Sequence, residues 1–124
     1  MCSYNAVNGV PTCLDGHAQN DMLREQFGFR GLVVSDCDSI ADAWEPDKPN
    51  GGSKVAGFGG HGYAHNGSEA TALALRNGCD MDCGDTFEDG VADALAAGQL
   101  DVSDLDRAVQ RAFSMRIRLG MFDE

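Results

Sequence analysis

Apolar residues along this chain follow two rhythms. Short unbroken runs such as Leu32, Val33 and Val34 read as strands covered on both faces. Longer stretches with an apolar residue every third or fourth position read as helices. Residues 1–4 read as the end of a strand, and VNGVP at 7–11 as a turn marked by Asn-Gly and Pro. Around Asn20 to Phe27, Met22, Leu23 and Phe27 share one helical face, with Gly28 where a helix would end. Residues 32–36 form the next strand. Helical pattern resumes at Asn66, whose spacing to Glu69 is that of a capping box. Ala70, Leu73, Ala74 and Asn77 follow in helical register, three of the four apolar, and Gly78 closes the element. A third strand covers 80–83. Asp85 and Glu88 repeat the capping-box spacing before a helix to Ala97, closed by Gly98. Ser103 to Asp106 opens the last helix, whose apolar stripe runs Leu105, Ala108, Val109, Ala112 and Phe113 before Gly120.

The order is therefore strand, helix, strand, loop, helix, strand, helix, helix. Alternating strands and helices imply a parallel sheet. Three strands leave both edges of such a sheet open. A complete (β/α)₈ barrel takes about 250 residues, and this chain has 124. The pattern describes a piece of a barrel or of a doubly wound sheet. One connection departs from the rhythm: Pro46 to Gly67 holds seven glycines and two prolines. A loop of that length in a compact domain is commonly functional or disordered.

Composition narrows the partners. The chain is 43% hydrophobic, enough for a core, and its formal charge is −11. Nucleic acid and anionic membrane repel such a surface; a neutral or cationic ligand does not. No stretch approaches the ~20 apolar residues of a membrane span. MCSYNAVNGVPTC has neither the basic nor the apolar region of a signal peptide. It also lacks a polar lead-in, as if the chain entered mid-structure. The cysteines, at 2, 13, 37, 79 and 83, form no CxxC pair, and their odd number leaves at least one free thiol in a single chain. A secreted origin with one or two disulfides fits this count.

The sharpest local signal is GLVVSDCDSI at 31–40, an apolar run that ends in two carboxylates and a thiol. Acidic residues after a strand serve as caps and turn formers. They also sit where parallel α/β folds bind ligands, at the carboxyl ends of the strands. The wider context favours the second reading. MCSYNAVNGVPTC, LREQFGFRGLVVSDCDS, NGCDMDCG and QRAFSMRIRLGMFD, in that order, resemble glycoside hydrolase family 3. The resemblance is strongest to its plant and fungal β-xylosidase and α-arabinofuranosidase members, which carry Cys after the nucleophilic Asp where β-glucosidases of the family usually carry Trp. It covers nearly the whole chain and departs only in the loop at about 42–66.

That resemblance implies an α/β fold, a partial (β/α)₈ TIM-like barrel. Residues 1–4, 32–36 and 80–83 would be about its sixth, seventh and eighth strands. Residues 1–124 would form the C-terminal portion of the family's N-terminal barrel domain, and the helix at 104–119 would lead towards a second, α/β sandwich domain. Met1 aligns with an internal Met of the family motif, so the chain reads as part of a longer protein. The implied activity is retaining hydrolysis of O-glycosyl bonds, of exo-acting β-xylosidase type, without a cofactor. The implied partners are an oligosaccharide or small glycoside, the remaining barrel half and the sandwich domain. The implied location is extracellular or the cell wall.

By the same resemblance Asp36 is the catalytic nucleophile. Tyr4 places a phenol beside it, and Met1 borders the glycone pocket. The acid/base Glu would come from the second domain, and no residue here takes that role. Cys37 and Cys83 either pair or pack as small hydrophobes. Asp38, Asp80, Asp82 and Asp85 could line the site, although most of them suit caps and solvated positions better. Trp44 either stacks on a sugar or packs. Two other readings compete. His61, His65, Cys79 and Cys83 could bind Zn²⁺, although C-x₃-C is unusual for a structural zinc. Alternatively, the chain is a non-catalytic remnant that binds carbohydrate.

Overall fold

The computed structural model describes residues 1–44 and 60–123. The part of the glycine-rich connection at 45–59 lies outside the described residues. Three short extended segments run parallel, joined at Cys2–Ser35 and Val34–Met81. The middle one is the predicted Val-rich strand. Cys2 N donates to Val34 O at 3.0 Å and Asp36 N to Cys2 O at 2.9 Å. On the other side, Ser35 N donates to Met81 O at 2.9 Å and Met81 N to Val33 O at 3.2 Å. Each segment contributes only a few ladder bonds.

Between the first and second segments the turn expected at 7–11 is a hairpin. Strand β1 (Ala6–Val7) pairs antiparallel with β2 (Val10–Pro11), Ala6 opposite Pro11. Asn8 and Gly9 both have positive φ, 51° and 83°. That pair makes the primed turn whose twist suits a two-residue hairpin. A wide π-type helix, His17–Gln26, follows and begins three residues before the expected Asn20. Its expected apolar face is not the buried one: Phe27 is 73% exposed, and Met22 is exposed too. Gln19 and Arg24 are buried instead. Their polar ends meet backbone carbonyls, Gln19 those of Thr12 and Cys13, Arg24 those of Gly31 and Gly78. Burial of such groups is tolerated because those bonds replace water.

Helix α1 (Gly67–Arg76) begins as its sequence predicts. Asn66 Oδ1 accepts from Glu69 N at 2.9 Å, and Glu69 Oε2 accepts from His65 N at 2.7 Å. Helix α2 (Thr86–Ala96) departs from expectation, since Asp85 makes no side-chain cap bond. Asp82 Oδ2 accepts from Phe87 N at 3.2 Å and does that work. Helix α3 (Val102–Arg118) starts behind Asp101, ahead of the expected Ser103.

The core is built from small residues, which lets helices approach closely. A Cβ on Gly90 of α2 would lie 2.4 Å from Thr71 Oγ1 of α1. One cluster joins Cys2, Cys13, Leu14 and Ile40 to Ala70 and Ala74 of α1. A second joins Leu75, Ala94 and Leu100 to Ala108 of α3. The α3 stripe is only partly covered: Ala108 is buried, while Val109, Phe113 and Ile117 are exposed. Among the described residues no helix is long and apolar enough to cross a membrane.

Candidate active site

The carboxyl ends of the three parallel segments carry Tyr4, Asp36 and Cys83. Asp36 closes the middle one. Its backbone is fixed by Cys2 O on one side, and its carbonyl accepts from Ser39 N at 3.1 Å and Ser39 Oγ at 3.0 Å. Its half-buried carboxylate accepts from Cys37 N at 2.8 Å through Oδ1. The group is therefore held at the strand end yet open to an incoming atom.

Three constraints converge on the next two residues. Cys37 is disulfide-bonded to Cys83, across 46 positions of sequence. The Tyr4 hydroxyl donates to the Cys37 carbonyl, which ties the first segment to the turn behind Asp36. Asp38 N donates to Cys83 O at 2.8 Å, and Asp38 takes a left-handed φ of 63°. An Asp tolerates that conformation better than most residues, and the surrounding bonds hold it there.

Beneath this turn Ser35 is fully buried. Its Oγ donates to Asp82 Oδ1 at 2.9 Å and accepts from Cys83 N at 2.8 Å. Ser35 and Asp82 thus lock the middle segment to the third at the level of the nucleophile candidate. The far end of the glycine-rich connection folds back over the same end. His61 N donates to Asp42 O at 2.6 Å, and its ring Nε2 lies 2.6 Å from Tyr4 O. The sequence offers Asp82 among the acids that could line this site, but it gives no such signal for Ser35 or His61. Only the length of the glycine-rich loop hinted that its far end returns to the strands.

Other sequence candidates fall elsewhere. Met1 is 77% exposed and lines an apolar groove of about 500 Å³ with Met22, Phe27 and Phe29. Trp44 packs against the core, its ring against Gly67, so it is a packing residue. Asp80 lies at the opposite end of the sheet, where it pairs with Arg24 at 2.7 Å and Arg111 at 2.8 Å. Asp82 is the cap described above.

The cysteines resolve into two bridges, Cys2–Cys13 and Cys37–Cys83, with Cys79 a free buried thiol. Burial, more than the neighbouring Asp80 and Asp82 charges, pushes the Cys79 thiol up to about 12. The zinc reading fails here. Cys83 is consumed by a disulfide, and no group of three or more metal-ligating side chains converges among the described residues.

A carboxylate at the carboxyl end of a parallel strand stands where parallel α/β folds bind their ligands. The family described as the glycosyl hydrolase family 3 N terminal domain matches residues 1–115, and the chain belongs to that family. The family's N-terminal domain has a TIM-barrel-like fold.

Among its relatives is the probable exo-1,4-β-xylosidase xlnD of Aspergillus niger. It is 38% identical over 125 residues, which cover 99% of this chain and 14% of that protein. The probable exo-1,4-β-xylosidase bxlB of Aspergillus clavatus is 40% identical over 126 residues, with the same two coverages. In three dimensions the chain is similar to the exo-β-xylosidase XlnD in complex with a xylobiose aziridine activity-based probe. There the TM-score is 0.79 and the identity 32%, over 97% of this chain and 15% of that one. A β-glucosidase from Listeria innocua in complex with glucose matches with TM-score 0.78 and 26% identity, over the same shares. The chain thus spans about one seventh of the length of these relatives.

Proposed function

We propose that residues 1–124 form about the sixth to eighth strands, with their helices, of a (β/α)₈-like barrel in a retaining exo-β-xylosidase. Asp36 acts as nucleophile. Its carboxylate attacks the anomeric carbon of a xyloside at the non-reducing end of an oligosaccharide and forms a glycosyl-enzyme. An acid/base carboxyl group from a second, α/β sandwich domain protonates the leaving oxygen. The same group then activates the water that releases the sugar. The remaining barrel strands supply most contacts to the sugar. Two disulfides suit an oxidising compartment, and hence a place outside the cell or in its wall.

The observation that carries this reading is the mounting of Asp36: a half-buried carboxylate at the end of the middle strand, held by Cys37 N and followed by a residue crosslinked to Cys83. Double displacement retains configuration. NMR of the sugar first released from an aryl β-xyloside by the full natural polypeptide should therefore show the β-anomer. Initial appearance of the α-anomer would rule out a covalent intermediate on Asp36.

A further inference from the structure

At the amino ends of the strands, away from Asp36, lies a second pocket of about 600 Å³ between the π-type helix, the end of α1 and the flank of α3. Its walls hold Arg24, Arg30, Arg76, Arg107 and Arg111. Those five are more than half of the chain's nine Lys and Arg residues, in a molecule of formal charge −11.

The local carboxylates do not cancel them one for one. Asp80 accepts from both Arg24 and Arg111, leaving one positive charge over from that trio. Arg107 pairs with Asp104 at 2.6 Å. Arg30 and Arg76 have no ion pair among the described residues, while Asp21 and Glu25 line the same pocket. Asp21 already faces His17 at 3.0 Å. The balance is slightly positive in a chain that is strongly negative elsewhere.

Arg24 itself is held firmly. Arg24 has only 7% of its side chain exposed, and its Nε is buried with no hydrogen-bond partner. One face of its guanidinium is covered by the Phe29 ring, 5.8 Å from the centroid. Burial and the nearby Arg111 and Arg107 charges all weigh against its charged form, with Asp80 opposing them. The back of the pocket is thus a fixed cation, while Arg30 and Arg76 at its mouth keep guanidinium donors without an ion-pair partner among the described residues.

We propose that this pocket binds a small oxyanion, gripped by Arg30 and Arg76 at its mouth and drawn by the Arg24–Arg111 pair at its back. Guanidinium forks suit both tetrahedral phosphate and planar carboxylate, because each offers paired oxygens. The source is therefore a free inorganic anion or the carboxylate of an acidic sugar.

Calorimetric titration of the full natural polypeptide separates these. Inorganic phosphate and glucuronate are each compared with chloride at matched ionic strength, in the parent and in Arg30→Gln/Arg76→Gln. Both positions are exposed, so the double variant should fold, and its melting profile verifies that. Saturable uptake of one phosphate, weakened about tenfold or more in the double variant, supports a free-anion site. Tighter uptake of glucuronate with the same sensitivity supports an acidic saccharide. Binding no stronger than that of chloride, or binding that survives the double substitution, overturns the proposal.

Discussion

Asp36 and Asp80 stand at opposite ends of the three parallel segments, and their surroundings could hardly differ more. Asp80 has 1% of its side chain exposed, and both of its oxygens are taken, Oδ1 by Arg111 and Oδ2 by Arg24 and Val33 N. Asp36 is half-buried, and its Oδ1 accepts from Cys37 N. One end of the sheet spends its carboxylate on neutralising and joining elements that are distant in sequence. The other fixes the backbone around its carboxylate and leaves the group half-open to solvent. If Asp36 is the nucleophile, as proposed, its rigidity comes from its neighbours and not from saturating the carboxylate.

The most severe break in this comparison is Asp36→Ala. A covalent nucleophile has no substitute, so turnover of the full natural polypeptide should fall beyond the ~10²–10⁴ expected for loss of an acid/base aid. The thermal melt should barely move. A variant keeping a tenth of the parental kcat would show that the reactive end lies elsewhere.

Asp80→Ala should do the reverse. Removing one partner of a buried ion pair leaves Arg24 uncompensated and costs about 3–5 kcal/mol. Denaturant unfolding would register that loss, while kcat per folded molecule should stay near the parental value. Unchanged stability with lost activity would erase the division between the two ends.

Next in size is Cys37→Ser/Cys83→Ser. Its loop of 46 positions closes a larger part of the unfolded chain than the 11 of Cys2–Cys13. Chain entropy then assigns it about 4 kcal/mol and the shorter bridge about 3. The longer bridge also holds the turn behind Asp36, so its loss should lower kcat, whereas Cys2→Ser/Cys13→Ser should lower stability alone. Equal kinetic effects of the two pairs would argue against a positioning role.

Tyr4→Phe removes the bond to the Cys37 carbonyl, worth about 1 kcal/mol, and should slow turnover about fivefold with little change in KM. A larger rise in KM than fall in kcat would place Tyr4 on the sugar instead of on the turn.

The mildest test uses pH. Cys79 keeps its proton in the fold up to about 12, against an ordinary value of 9.0. The unfolded chain therefore ionises first as pH rises past 9.0, and folding stability falls from there towards about 12. Cys79→Ala should flatten that alkaline decline. In native protein at neutral pH the thiol should resist alkylation, and in denaturant it should take one label.

What could be read in advance was what is local. Asn66 and Glu69 are three residues apart, and a capping box needs nothing more. Gly28, Gly78, Gly98 and Gly120, taken as helix ends, have φ of 70°, 107°, 66° and 72°. Asp85 had the same spacing as Asn66 but sits at φ −105°, ψ −4°, outside the extended geometry a capping side chain needs, so Asp82 takes the bond. The Asp80 network joins residues 24, 80 and 111 and was invisible for want of any local pattern. The pairing of the cysteines was equally closed to spacing arguments. Asp36 stood out through the motif around it, and Ser35, the buried residue that braces it, looked like any serine beside a strand.

One detail of the core bears on how the molecule is made. The Cys79 sulfur lies 3.9 Å from that of Cys2, whose bonded partner is Cys13. During oxidation three thiols therefore compete for two places, and a Cys2–Cys79 bridge would strand Cys13 beside Ser39, whose hydroxyl is 3.0 Å from its sulfur. That isomer would tether the sheet to itself instead of to the hairpin that follows it. The native choice is the partner nearest in sequence, 11 positions away, where the competing thiol is 77 positions away. The shorter loop closes at the smaller entropic cost, so chain statistics favour the correct pairing before the core forms.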